Sequence, residues 1–79
     1  MKIVFISGTE VGVSIYNAIY EIGYEIDTIF TYRLNKERKI SGFFDYSLIS
    51  KSNLIRTDNI NKDVDKIRKI NPDLIIVGG

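Results

Sequence analysis

Ser7, Gly8, Thr9 and Glu10 follow directly on an apolar run, with a second glycine at Gly12 and an amphipathic pattern beyond it. Two hydroxyls, a glycine and a carboxylate in consecutive positions can form a turn that holds a ligand. Gly8 lets backbone approach the ligand closely, and Ser7 and Thr9 offer hydroxyl donors. The start of the following helix adds backbone N–H groups, which favour an anion. Glu10 works against an anion, because its carboxylate repels phosphate. The spacing of Gly8 and Gly12 makes neither G-x-G-x-x-G nor a P-loop. A structural alternative therefore stays open: a tight turn in which Gly12 lets the helix pack close to the sheet. Arg33 is either a partner for a ribose phosphate or a solvated loop cation, and no acidic residue ends the strand before it as an NAD site prefers. Asp45, Asp63 and Asp73 read as caps or strand-end groups. No pair of carboxylates is placed for acid–base work or for a metal.

Composition removes whole classes of chemistry. The 79 residues include no cysteine and no histidine. Disulfides and thiolate metal sites are excluded, and so is the commonest general base. With 44% hydrophobic and 27% charged residues, the composition is that of a folded globular domain, and one small domain at most. A net charge of +1, with Lys and Arg spread along the chain, is no electrostatic footprint for nucleic acid. No apolar run approaches the roughly 18 residues of a membrane span, and the first run is too short for a signal peptide's core. A cytoplasmic location is expected.

The elements that must position these residues follow from periodicity. Lys2–Ile6 is short, apolar and β-branched, as suits a buried parallel strand. Val11, Ile15, Ala18, Ile19 and Ile22 follow helical spacing and are expected to face the sheet, with Tyr16, Tyr20 and Tyr24 bordering that face. Gly23 stops the helix. A second strand is expected over Glu25–Thr31, a polar mobile loop over Tyr32–Gly42, and a short helix capped by Asp45 that carries Leu48 and Ile49. Asn53–Arg56 reads as a third strand. Asn61 is the expected cap of a further helix, with Ile60, Val64 and Ile67 as its buried stripe. Pro72 pushes Asn71 out of helical geometry, and Leu74–Val77 is the fourth and most apolar strand.

Strands alternating with helices predict an α/β, Rossmann-like open parallel sheet of four strands in order 3-2-1-4, with helices on both faces. That order leaves Leu74–Val77 at an edge, where nothing in its sequence blunts it. The expectation is that the sheet is truncated here. The alternative is an intact small protein that pairs this edge with a second copy, as a homodimer.

The opening "MKIVFISGTEVGVSIYNAIYEIGYEIDTIFT" resembles the start of the formyltransferase family of methionyl-tRNA, sugar-N- and glycinamide ribonucleotide formyltransferases. Gly8, Thr9, Gly23 and Thr31 stand at the matching positions. "NINKDVDKIRKINPDLIIVGG" is similar to the family's second hallmark, a helix leading through Asn71-Pro72-Asp73 into the apolar strand. The segment "ISGFFDYSLISKSNLIRTDNIN" resembles the family's short helix and third strand less specifically. The chain departs from the family's Gly-Thr-Pro-x-Phe-Gly turn at Glu10 and Val11, and it lacks the Pro-Asp often found after Thr31.

The resemblance implies that residues 1–79 are the N-terminal part of a formyltransferase domain, with 10-formyltetrahydrofolate as formyl donor and a primary amine as acceptor, on methionyl-tRNA or an amino-sugar nucleotide. Contacts with such acceptors would come through regions beyond these residues. The family's Asn-x-His motif and downstream Asp have no counterpart here, so no catalytic residue is assigned in this chain. What the resemblance leaves to it is the cleft floor: Ser7, Gly8, Thr9 and Glu10 on the acceptor side, and Gly78 and Gly79 at the lip of the folate side. The residues alone also allow a small nucleotide-binding module or a non-catalytic assembly protein.

Overall fold

The computed structural model describes Met1–Gly79. Strands β1 (Ile3–Ile6), β2 (Ile26–Tyr32), β3 (Asn53–Thr57) and β4 (Leu74–Val77) form one sheet in the order β3-β2-β1-β4. All three pairings are parallel. Helix α1 (Val11–Glu21) links β1 to β2, and helix α2 (Val64–Ile70), entered through a 3₁₀ turn at Ile60–Asp63, links β3 to β4. The anticipated Rossmann-like architecture and strand order are therefore present. The α1 and α2 crossovers run in opposite directions along the sheet, and the right-handed rule for parallel connections assigns their helices to opposite faces.

The core lies on the α1 face. Ile3, Phe5, Ile26 and Ile29 from the sheet cluster with Tyr16 and Ile19 of α1 and with Tyr46. Phe5, Tyr16 and Tyr46 meet edge-on, with ring centroids 5.9–6.2 Å apart. The opposite face buries Val4, Thr28 and Phe30.

The packing face of α1 differs from the expected stripe. Gly12, Tyr16 and Ile19 are its buried residues, while Val11 and Ile22 are 72% and 71% exposed and Ile15 and Ala18 also face outward. Only Ile19 belongs to both sets. Tyr16 takes the central place because its large ring fills the space over Phe5, and its hydroxyl still reaches the Ile49 carbonyl at 3.0 Å. Tyr20, half-buried, bonds Ser52, and Tyr24 is exposed.

The connections show smaller differences. The short helix after Asp45 is a 3₁₀ turn, Tyr46–Leu48, which the Asp45 side chain caps by accepting from the Ser47 N–H at 3.0 Å. It delivers Tyr46 to the core rather than Leu48, which is exposed. Asn59, not Asn61, caps the next segment, its Oδ1 accepting the Asn61 N–H at 3.0 Å, because the chain enters a 3₁₀ turn at Ile60, four residues before the α-helix begins at Val64. Val64 is exposed and Ile60, Ile67 and Ile70 are half-buried, so α2 covers its face loosely. The segment expected to be a loop after Thr31 begins with the last residue of β2 and a 3₁₀ turn at Leu34–Lys36. Gly23 (φ 94°) and Asn71 (φ 54°) close α1 and α2 in the left-handed region.

Candidate functional site

The carboxyl ends of all four strands open on one side of the sheet, the side where parallel α/β sheets hold ligands. A cleft of about 300 Å³ lies there. It is lined by Ser7 and Gly8 after β1, Thr31 and Tyr32 at the end of β2, Thr57, Asp58 and Asn59 at the end of β3, and Val77 and Gly79 at β4, over a floor that includes Ile6 and Phe30. Ser7, Gly8 and Gly79, picked out in the sequence, are brought together in it. Thr9, Glu10 and Gly78 stand just outside, around the first turn of α1.

Local bonding fixes this ring of residues. Gly79 is tied to the β1 turn twice: its carbonyl accepts the Gly8 N–H at 2.9 Å and lies 3.0 Å from Ser7 Oγ. Ser7 Oγ also lies 2.9 Å from Tyr46 Oη, which is 2.8 Å from the Thr9 carbonyl. These three oxygen contacts share only two hydroxyl protons, so at any moment two of them are hydrogen bonds. Burial pushes the Tyr46 phenol above its ordinary value, only partly offset by its bond with Ser7. Tyr46 therefore stays protonated and keeps its role as a donor.

The glycines have distinct reasons. A methyl group on Gly12 would run into Ser7 Oγ and Tyr46 Oη, and one on Gly78 would come within 3.0 Å of the Gly12 Cα. The close-packing role of Gly12 is thus real: it lets α1 settle against β4 and the hydroxyl network. A methyl group on Gly8 would fall within the ring of Tyr32, which lies across this glycine. The first N–H groups of α1 are partly spent, since Gly12 and Val13 donate to the Thr9 and Glu10 carbonyls at 3.2 and 3.0 Å. Glu10 occupies the N-cap position without a side-chain bond to the helix.

Around the mouth, charge is paired. Arg33 Nε donates to Asp58 Oδ2 at 3.1 Å, joining the ends of β2 and β3. Reading the end of β2 alone finds no acidic residue there. The parallel register that sets Tyr32 beside Thr57 brings Asp58 across from the next strand. The usable signal is Thr57-Asp58-Asn59 at the carboxyl end of a strand. Deeper in, Arg56 holds the Asp45 carboxyl below its ordinary value, with help from Ser47, at 2.7 Å. The Asp63 carboxyl is likewise held low, first by the Thr57 hydroxyl and then by Lys66. One polar atom is left over: Thr31 Oγ1 is buried and has no hydrogen-bond partner.

No protein-family model matches this chain. No curated protein matches it either. No helix is long and apolar enough to cross a membrane. The architecture is that of a small α/β module of the kind that binds nucleotides or cofactors at its strand ends.

Proposed function

We propose that these 79 residues form the floor of a formyl-transfer cleft in a folate-dependent formyltransferase, which moves a formyl group from 10-formyltetrahydrofolate to a primary amine on methionyl-tRNA or an amino-sugar nucleotide. The observation that carries this reading is the open apolar edge beside the strand-order reversal. Leu74, Ile75 and Val77 are 42%, 45% and 68% exposed on β4, with Val11 exposed close to Gly79. An edge of this kind is normally covered, and a sheet continued past β4 would cover it.

Two family-like motifs support this reading. Gly8-Thr9 lies in the turn that follows β1 at the reversal, and Asn71-Pro72-Asp73 closes α2 and leads into β4. Gly78, packed against Phe5 and Gly12, and Gly79, next to the exposed Val77, take the folate side in this reading. Ser7, Gly8, Thr9 and Glu10 take the acceptor side. Proton handling falls to an Asn-x-His segment and an Asp outside these residues, since the chain has no histidine. Asn would stabilise the oxyanion as the amine attacks the formyl carbon.

The test is formyl transfer and calorimetric titration with 10-formyltetrahydrofolate, run on the 79-residue chain and on a protein in which that segment follows it. The chain alone is expected to transfer nothing, and the longer protein to bind the folate and formylate an amine. A longer protein that binds no folate and formylates neither acceptor class overturns the reading.

A further inference from the structure

The side of the molecule beyond β4 differs from the rest of its surface. Along α1, Val13 and Tyr20 pack against the core, and Tyr20 reaches Ser52. The opposite flank of the helix, Val11, Ile15, Ala18 and Ile22, therefore faces the β4 side, and Val11 stands next to Gly79. That flank and Leu74–Val77 carry no charge. Val11, Ile15, Ile22, Leu74, Ile75 and Val77 are 37–72% exposed. They put roughly 500 Å² of aliphatic surface here, near the upper end of what a monomer carries alone. Covered on two copies, it amounts to about 1,000 Å², the size at which specific interfaces begin.

The backbone of β4 points to the same occupant. Leu74 and Gly78 donate to the Lys2 and Ile6 carbonyls, so strand alternation turns the N–H and C=O groups of Ile75 and Val77 outward, where no strand pairs them. The set of free groups ends there. The Asp73 N–H is held by the Lys2 carbonyl, and the Gly79 carbonyl by the Gly8 N–H. An antiparallel copy centred on Ile76 sets Ile75 opposite Val77 and Val77 opposite Ile75. All four outward groups of each copy are then paired, aliphatic side chain beside aliphatic side chain. The other sheet edge does not match β4. It carries Asn53 and Arg56, and Arg56 is held by Asp45 and the Tyr32 carbonyl. A closed pair therefore suits these edges better than an open-ended stack of β4 on β3.

We infer that a second copy of this chain occupies this side, pairing β4 with β4 about a two-fold axis at Ile76. The two α1 flanks then border the seam on one face of a continuous eight-stranded sheet. A strand following β4 in a longer protein would take the same edge, so the dimer belongs to the 79-residue chain. The inference rests on neither folate nor transfer chemistry.

The experiment is sedimentation equilibrium of the 79-residue chain from micromolar to submillimolar concentration. The expected result is a reversible step from 9.1 kDa to twice that mass and no further. Val77→Pro removes an outward N–H and leaves the bonds to β1 in place, as proline on an edge strand can. It is expected to weaken the dimer about tenfold or more. The chain has no cysteine, so Ile76→Cys reads the register directly. Its two copies stand about 4.5 Å apart at Cα and are expected to form a disulfide under mild oxidation, whereas Ile75→Cys places them about 8 Å apart and cross-links far more slowly. A single 9.1 kDa species throughout, growth past the dimer, a Val77→Pro dimer as tight as the wild type, or Ile75→Cys cross-linking as fast as Ile76→Cys overturns the proposal. Each of these leaves the formyltransferase reading to its own test, which reads folate binding and transfer by the longer protein.

Discussion

Gly12 is the residue on which three parts of the molecule converge: the hydroxyls of Ser7 and Tyr46, the backbone just past β4 at Gly78, and the first turn of α1. Gly12→Ala must displace at least one of them. Overpacking of this kind costs about 1–3 kcal/mol, so a fall in Tm and in the urea midpoint is expected. Tyr46→Phe keeps the ring among Phe5, Tyr16 and Phe44 but removes the donor to the Thr9 carbonyl, at a cost of about 1 kcal/mol. A Gly12→Ala protein as stable as the wild type would show that α1 does not press on the hydroxyl network. Asp45 gives a prediction in pH. Its carboxyl is held below the ordinary value of 3.8, chiefly by Arg56. The folded state therefore binds its proton less readily than the unfolded state does. Its contribution is fully present above that ordinary value and is lost as pH falls through the lowered one. Asp45→Asn keeps the oxygen that caps Ser47 and removes only the charge. Melting curves of the two proteins should differ at pH 7 and converge on acidification. A gap that stays constant with pH would mean that the pair contributes nothing electrostatic.

Among the elements, α1 shows both how much the sequence carries and where it misleads. Its existence and its end at Gly23 were legible, because helical spacing and a glycine stop are local signals. Its orientation was not. An aliphatic stripe of Val11, Ile15, Ala18 and Ile22 looked like the buried face, yet the helix turns Tyr16 inward, since a large ring with a reachable carbonyl fills the space over Phe5. The order of strands followed from alternation and handedness, whereas Asp58 at the mouth of the cleft depended on β2–β3 register, which no single segment encodes. Substitutions separate the two faces. Ile19→Ala, at a residue 5% exposed, is expected to cost about 2–5 kcal/mol. Ile22→Lys, at 71% exposure, should change stability by no more than about 0.5 kcal/mol, with the added cation lying near the helix C-terminus where the dipole favours it. Chemical denaturation of both variants checks this, and equal losses would mean that the stripe is buried after all.

At the scale of the whole molecule, an open apolar edge and a nearly balanced charge act together. The net charge is +1, and the isoelectric point is near 7.9. Close to that pH little long-range repulsion keeps copies apart, while β4 presents unpaired backbone groups flanked by Leu74, Ile75 and Val77. Static light scattering of the 79-residue chain is expected to peak near pH 8 and to fall on either side as net charge grows. Ile75→Lys places a cation on the edge strand, opposite Val4 in register, and raises the net charge by one. That change should lower the peak and move it to higher pH, with little loss of stability because Ile75 is 45% exposed. The variant thereby separates two causes of association. If charge balance alone governs it, the peak shifts without shrinking; if the β4 edge is the surface, the peak shrinks even when pH is matched to the new isoelectric point. Scattering that ignores both pH and Ile75→Lys would place association elsewhere on the molecule and would remove the exposed edge as support for a sheet continued past β4.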